Sequence, residues 1–449
     1  MRPSIALLLV FLVGLSTPVD ARDSDLRVIE AIGGLLQKKA LPADRARRAS
    51  PVSTVEASEM WDAFLTQVIK RSAREARPGS RRNEFLLVLL SGRYDGLDLL
   101  ARDAPVPDPL RELFLQSWER LAPQLQGLVG ELDAQAAKPF RALLQAGEAL
   151  KAAQGLGEAI GVPITPEMLR DLARLVLADR KFDPLFYDLA VDPELRSLFG
   201  FGAPLEPGPR SSLLAARRSS FAEIALERVV PAAHAAAPEA PAGGEGETAD
   251  LVRRLNNWLP TRDDLAEYLA EMRTMLLRTA EATVASREGE GHALDPRFRA
   301  LYEHVVLATA WQESCWRQFV RLKGKVQPLQ SGLGAVGLMQ VYPRVWRGFY
   351  DVSGLQSDIG YNGRAGAEIL HHYLLDYAIA RGEGVADGSS DDLARATYAV
   401  YNGGPGHLTR YRNPKQRADL KAIDLSFWQK YQAVKAGNEL EVGKCIAGR

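Results

Sequence analysis

Apolar residues recur at three- and four-residue spacing along most of the chain. This period places them on one face of a helix, so it predicts helices rather than strands. In the N-terminal half, Trp61, Leu65 and Ile69 form one such stripe, and a second runs from Leu110 to Leu121. In the C-terminal half, a third stripe runs from Leu265 to Leu276. The pattern therefore predicts helices on both sides of the middle of the chain.

The alternating pattern that is typical of a half-buried strand is nearly absent. The chain is rich in Leu, Ala, Arg and Glu, which favour helix, and it has few β-branched runs. We therefore expect a mainly α-helical protein with few strands. Any small sheet should lie near Lys325 to Tyr342.

A change of composition divides the sequence into two parts. From residue 203 to 248, Pro, Ala, Gly and Glu dominate, which is typical of a flexible linker. This linker separates an all-α helical domain, residues 22–202, from a second domain, residues 249–449. The first domain shows no group of polar residues that suggests chemistry, and it could provide a surface for a protein partner.

The first 21 residues have the pattern of a signal peptide. Arg2 is followed by the apolar run Ile5 to Leu15, and residues 19–21 fit a small-x-small cleavage site. The run is short for a membrane span, although an uncleaved anchor remains the alternative. No later segment resembles a transmembrane helix. We therefore expect the mature chain to be exported to the periplasm, in the cell envelope.

Composition and charge exclude several classes of partner and cofactor. Lys and Arg number 56 and Asp and Glu also number 56, so the formal net charge is +0. This balance, without a basic-aromatic cluster, argues against nucleic acid as a partner. The six His residues are scattered, and the adjacent pair His371 and His372 lacks acidic or thiol partners at ligand spacing. We therefore expect no metal and no other cofactor.

The chain has two cysteines, Cys315 and Cys445. In an oxidising compartment such a pair usually forms a disulfide, and two buried free thiols are the alternative. The disulfide would tie the C-terminus to the region around residue 315.

The residue that most strongly suggests chemistry is Glu313. It stands at the C-terminal end of an almost entirely apolar helical run, residues 304–314. Burial disfavours a carboxylate, so the pKa of Glu313 should be raised and its proton retained near neutral pH. A carboxylic acid in that state can act as a general acid.

A glycine-rich string follows at residues 334–340, Gly-Ala-Val-Gly-Leu-Met-Gln. Gly334 and Gly337 permit a close approach of the backbone to a ligand. Met339 and Gln340 provide an apolar surface and one amide, which suits a sugar that carries an N-acetyl group. This string is therefore a candidate substrate-binding segment.

A third string, Tyr-Asn-Gly-Gly, occupies residues 401–404 at the end of a helix predicted over about 391–401. Tyr401 has a hydroxyl that could reach Glu313 or a sugar ring oxygen. Asn402 offers both a donor and an acceptor for an acetamido group.

The three strings, in this order, resemble the catalytic domain of bacterial lytic transglycosylases, which are relatives of goose-type lysozyme. The resemblance covers about residues 296–412, and it implies a lysozyme-like α+β domain within residues 249–449. It also implies roles: Glu313 would be the single catalytic acid, Asn362 would cap a structural helix, and the substrate-binding residues would be Ser314, Met339, Gln340, Tyr401 and Asn402. The segment from Lys323 to Ser331 makes the spacing after Glu313 longer than is usual in that family.

The resemblance implies an enzyme that cuts peptidoglycan with one acid. Glu313 would protonate the oxygen between N-acetylmuramic acid and N-acetylglucosamine, and then, as a base, assist attack by the sugar's own 6-hydroxyl to give a 1,6-anhydro product. A muramidase that uses water is the alternative, and it needs a second carboxylate. Asp351, Asp358 and Glu368 are near in sequence, but we expect them to be surface or capping residues. A non-catalytic peptidoglycan-binding scaffold is the third hypothesis.

Overall fold

A computed structural model describes residues 52–77, 79–155, 164–177, 181–208, 244–256, 258–384 and 390–447. The expected signal peptide and most of the expected linker lie outside these residues. The described part is mainly helical with one small sheet, which confirms the predicted fold class. None of its helices is both long and apolar enough to cross a membrane.

The helices are numbered here in chain order. They are α1 (Thr54–Glu75), α2 (Ser80–Leu100), α3 (Pro109–Glu131), α4 (Ala134–Gly155), α5 (Pro166–Val176), α6 (Pro193–Leu198), α7 (Gly244–Asn256), α8 (Leu265–Gly289), α9 (Arg299–Ser314), α10 (Val352–Ser357), α11 (Ile359–His372), α12 (Asp391–Gly403), α13 (Ala418–Lys435) and α14 (Gly443–Ala447). A π-helical stretch, Tyr373–Ile379, continues α11. Short 3-10 turns lie at Pro296–Phe298, Pro405–His407, Arg410–Arg412 and Glu439–Val442.

Two strands, β1 (Phe319–Leu322) and β2 (Lys325–Pro328), pair antiparallel. The turn between them has positive φ at both central residues, Lys323 (50°) and Gly324 (75°), which matches the twist of a two-residue hairpin. The sheet is small, as expected, but it begins before the predicted Lys325. Among the described residues after β2, pairing is limited to isolated bridges, one of them between Gln330 and Val336.

The chain forms two compact units whose limits differ from the predicted domains. The first combines Met1–Arg71 with Ala104–Leu185, and the second combines Ser72–Asp103 with Phe186–Arg449. The predicted boundary at residue 202 does not coincide with either limit. Helix α2 and the residues from 186 to 202 group with the C-terminal part, although the sequence placed them in the N-terminal domain.

In the first unit, aromatic side chains form the core. The ring of Trp61 lies 5.1 Å from that of Phe64 and 6.2 Å from that of Phe114, and Phe114 stacks on Trp118 at 5.5 Å. The indole of Trp61 donates a hydrogen bond to Ser117 Oγ at 3.2 Å. These contacts confirm that the aromatic residues at helical spacing are core residues.

In the second unit, the segment from residue 186 to 208 is anchored by the buried Arg196. Its guanidinium donates to the carbonyls of Phe349 and Phe201 and pairs with Glu368 at 3.0 Å. Glu368 also accepts the hydroxyl of Tyr350 at 2.7 Å and is only 6% exposed. The expectation that Glu368 is a surface or capping residue was therefore wrong, because its carboxylate is the buried partner of Arg196.

Candidate active site

Helix α9 places Glu313 in its last turn. Most of the helix is buried, and Glu313 itself is partly exposed. The chain then leaves the helix through two residues with positive φ, Cys315 (54°) and Trp316 (58°). The indole N–H of Trp316 donates to the carbonyl of Leu307, and the backbone carbonyl of Trp316 accepts the hydroxyl of Tyr268. These bonds fix the turn that follows the acid.

The predicted disulfide between Cys315 and Cys445 is present, with a Cα–Cα distance of 6.2 Å. It joins the turn after Glu313 to the C-terminal helix α14, across 130 residues. A covalent link that closes so long a loop stabilises the fold mainly by constraining the unfolded chain.

Burial raises the pKa of Glu313 to about 7. Three groups oppose this effect and hold the pKa down: a hydrogen bond from Tyr398, and the positive charges of Lys430 and Arg410. At neutral pH the carboxyl is therefore divided between its protonated and ionised forms. A group in that condition can donate a proton and later accept one, which is what acid–base catalysis requires.

The tyrosine that contacts Glu313 is Tyr398. Its hydroxyl donates to Glu313 Oε1 at 2.9 Å, and its ring stacks on Phe427 of α13 with centroids 4.0 Å apart. Sequence reasoning missed Tyr398 and gave this position to Tyr401. A signal was available, because Tyr398 lies one helical turn before Tyr401 and so on the same face of α12.

Tyr401 instead donates its hydroxyl to the carbonyl of Met339, at 2.6 Å. Of the two contacts expected for this hydroxyl, Glu313 or a sugar ring oxygen, the first is not made in the structure. The bond ties helix α12 to the glycine-rich segment, residues 334–340. Tyr401 lies near Glu313, and its hydrogen bond connects α12 to the glycine-rich segment instead of to the acid.

The glycine-rich segment takes its shape from two buried amide side chains. Gln318 Oε1 accepts the backbone N–H of Leu338 at 2.8 Å, and Asn362 Oδ1 accepts that of Met339 at 2.8 Å. Gly337 has φ 77°, and a Cβ atom there would lie 2.3 Å from Asn362 Nδ2. Only glycine therefore fits between these two amides.

The resemblance implied that Asn362 caps a helix, but it does not. It lies inside α11 and is fully buried. Asp358 caps that helix by accepting the N–H groups of Gly360 and Tyr361. The expectation for Asn362 was wrong because its side chain is used by the glycine-rich segment.

Three of the predicted substrate-binding residues have buried side chains. Met339 is fully buried, Gln340 is 8% exposed and Ser314 is 3% exposed. The amide of Gln340 donates to the Gly337 carbonyl at 2.8 Å. The Ser314 hydroxyl donates to the carbonyl of Ala310 at 3.1 Å, so it serves the end of its own helix.

Asn402, the last predicted contact residue, is partly exposed. Its Oδ1 accepts Arg410 Nη1 at 3.0 Å. Arg410 in turn forms a buried ion pair with Asp424 at 2.6 Å. The guanidinium thus orients the Asn402 amide and also places a positive charge near Glu313.

A second cation near Glu313 is Lys430, which lies on α13. Lys430 Nζ donates to Gln312 Oε1 at 2.6 Å and to Ser426 Oγ at 2.7 Å. Burial lowers the pKa of Lys430, and the charge of Glu313 opposes that shift. Since Gln312 directly precedes Glu313, these bonds hold the ammonium beside the end of α9.

The candidates for a second carboxylate are engaged elsewhere. Asp351 caps α10 and Asp358 caps α11, as expected, while Glu368 pairs with Arg196. Over the described ranges, no group of three or more His, Cys, Asp or Glu residues is arranged to hold a metal ion.

We expect Tyr398→Phe to move the activity of this site to higher pH. The variant keeps the ring on Phe427 but removes the hydrogen bond that lowers the pKa of Glu313, so that pKa should rise above about 7. A bond to a charged group contributes about 1.5 kcal/mol, which corresponds to about one pH unit. The alkaline limb of the plot of kcat/KM against pH should therefore move to higher pH by about one unit. An unchanged limb would show that Tyr398 does not set the pKa of Glu313.

The geometry is that of one acid, held by a tyrosine, beside a glycine-rich segment that two buried amides shape. These features support acid–base chemistry at a single carboxyl. No protein-family model matches this chain, no curated protein matches it, and no solved structure matches it.

Proposed function

We propose that the protein is a peptidoglycan lytic transglycosylase that cleaves the β-1,4 bond between N-acetylmuramic acid and N-acetylglucosamine. The observation that carries the proposal is Glu313, whose pKa is raised to about 7 and which accepts a hydrogen bond from Tyr398 beside residues 334–340. The resemblance of the three sequence strings to lytic transglycosylases gives the substrate. Peptidoglycan strands in the periplasm are then the partner, and the reaction uses no cofactor.

In the proposed reaction, protonated Glu313 gives its proton to the glycosidic oxygen as the bond to the anomeric carbon breaks. The 2-acetamido group of the muramic acid stabilises the positive charge that develops there. Glu313, now a carboxylate, takes the proton of the 6-hydroxyl as that oxygen attacks the anomeric carbon. The products are a strand with a free 4-hydroxyl and a strand that ends in a 1,6-anhydro ring, and Glu313 is protonated again.

The charges around the acid suit both halves of this cycle. Burial favours the protonated form before the first step, whereas Tyr398, Lys430 and Arg410 favour the carboxylate that the first step creates. Because the same carboxyl acts as acid and then as base, a pKa near the working pH serves both steps.

The proposal is tested by mass spectrometry of the soluble products that residues 22–449 release from purified peptidoglycan. We expect muropeptides that end in 1,6-anhydro-N-acetylmuramic acid. Products with a reducing N-acetylmuramic acid would contradict the proposal and indicate a muramidase. Strand binding without any product would indicate a scaffold.

A further inference from the structure

Helix α2, from the N-terminal part of the chain, binds two segments of the candidate site. Tyr94 donates a hydrogen bond from its hydroxyl to the carbonyl of Tyr401, at 3.2 Å. The neighbouring Arg93 donates from Nη1 to the carbonyls of Val345 and Arg347, at 2.8 and 2.9 Å. Both side chains are buried. Helix α2 therefore holds the backbone at the end of α12 and the backbone that follows the glycine-rich segment.

The ring of Tyr94 also explains the last glycine of the Tyr-Asn-Gly-Gly string. Gly404 has φ 87°, and a Cβ atom there would lie 2.5 Å from Cδ2 of Tyr94. The chain thus turns at Gly404 directly against the tyrosine ring. A side chain at this position would displace Tyr94 from the Tyr401 carbonyl.

Helix α12 connects Tyr94 to the acid. Tyr398 on this helix donates to Glu313, and Tyr401, one turn later, donates to the carbonyl of Met339. The carbonyl that Tyr94 binds belongs to the last turn of the same helix. A shift of that turn changes the distance between the Tyr398 hydroxyl and the Glu313 carboxyl.

We propose that Tyr94 is a positioning residue of this site, which keeps the hydroxyl of Tyr398 on Glu313 by holding the C-terminal turn of α12. Its catalytic meaning rests on the proposed function. The site then depends on a helix that the sequence assigns to a separate domain. Displacement of α2, whatever its cause, would loosen the contact with the acid and lower activity.

The test is Tyr94→Phe in the full-length mature chain. This variant keeps the ring against Gly404 and removes only the hydroxyl. The loss of one hydrogen bond of ordinary strength corresponds to about fivefold in rate, and it acts on Glu313 only through α12, so we expect kcat to fall by up to about that factor with KM unchanged. Because the Tyr398 bond lowers the pKa of Glu313, a looser bond should move its titration to higher pH.

The matched control is Tyr377→Phe. Tyr377 is a buried tyrosine of the same unit whose hydroxyl has no hydrogen-bond partner among the described residues. Its loss should leave both kcat and the titration of Glu313 unchanged.

The titration is read directly by infrared difference spectroscopy, in which the spectrum of each protein is compared with that of its Glu313→Gln derivative. A shift to higher pH in Tyr94→Phe but not in Tyr377→Phe supports the positioning role. Identical titrations in the wild type and Tyr94→Phe overturn it. If the titration shifts while no variant cleaves peptidoglycan, the positioning role stands and the proposed function fails.

Discussion

A protein that begins at residue 249 is expected to lose the stable fold of the second unit. The truncation removes Arg196 and leaves Glu368, which is 6% exposed, without its cation. Breaking a buried ion pair in this way costs about 3–5 kcal/mol. The truncation also removes the buried carbonyl contacts of Arg93 and Tyr94.

The loss of helix α2 adds an apolar term, because it exposes the surface of the fragment that the helix covers. Phe85, Leu86, Leu89 and Leu90 are each fully buried, and α2 groups with the C-terminal part of the chain. Full burial of one such side chain contributes about 1.5–3 kcal/mol, which is the upper limit for what the fragment loses with it. Together these losses approach the whole free energy of unfolding of a typical domain, about 5–15 kcal/mol. The fragment should therefore be partly unfolded or aggregated.

Circular dichroism and thermal unfolding of residues 249–449 would measure this effect. Adding residues 52–208 as a separate chain should restore a cooperative transition, since that piece carries both α2 and Arg196. A fragment that unfolds by itself at the temperature of the full chain would show that α2 and Arg196 contribute no stability.

Much of this architecture follows from local sequence patterns. The run of apolar residues before Glu313 predicted both a buried helix and an acid with a raised pKa. Burial raises the pKa of a carboxyl whichever segments the helix packs against, so this prediction needed no knowledge of those segments. The pairing of Cys315 with Cys445 followed from their number and the expected compartment. Such features need no knowledge of which segments meet in space.

The contacts that the sequence did not predict are those between distant segments. Helix α2 is apolar around most of its circumference, which shows that it is buried but not against what. The residues joined by the Tyr94–Tyr401 bond are 307 positions apart. The resemblance implied that Asn362 is a cap, whereas its partner, the Met339 backbone, comes close to it only in the folded chain. Sequence periodicity predicts which face of a helix is buried, but it does not predict which distant segment that face contacts.

Glu313→Gln is expected to abolish activity and, above neutral pH, to stabilise the protein. Glutamine can neither protonate the glycosidic oxygen nor accept the proton of the 6-hydroxyl, while its carbonyl can still accept the Tyr398 hydroxyl. General acid–base catalysis contributes about 10²–10⁴-fold, and the proposed reaction uses Glu313 twice, so we expect a loss near the upper value. Release of anhydro products measures it. Glu303→Gln, on the same helix, is the control and should keep full activity.

The stability effect has the opposite sign because of the raised pKa. The pKa of Glu313 is about 7 in the folded protein against 4.5 for the ordinary side chain, so the folded state binds more protons between these values. Stability therefore falls as pH rises from about 4.5 to 7, and the loss, up to about 3 kcal/mol, is complete above that. The glutamine of the Glu313→Gln variant does not titrate, so the variant should unfold at higher temperature than wild type at pH 8 and at a similar temperature at pH 4. A variant that is less stable at pH 8 would mean that the ionised carboxyl supports the fold, which would remove the basis for assigning Glu313 to catalysis.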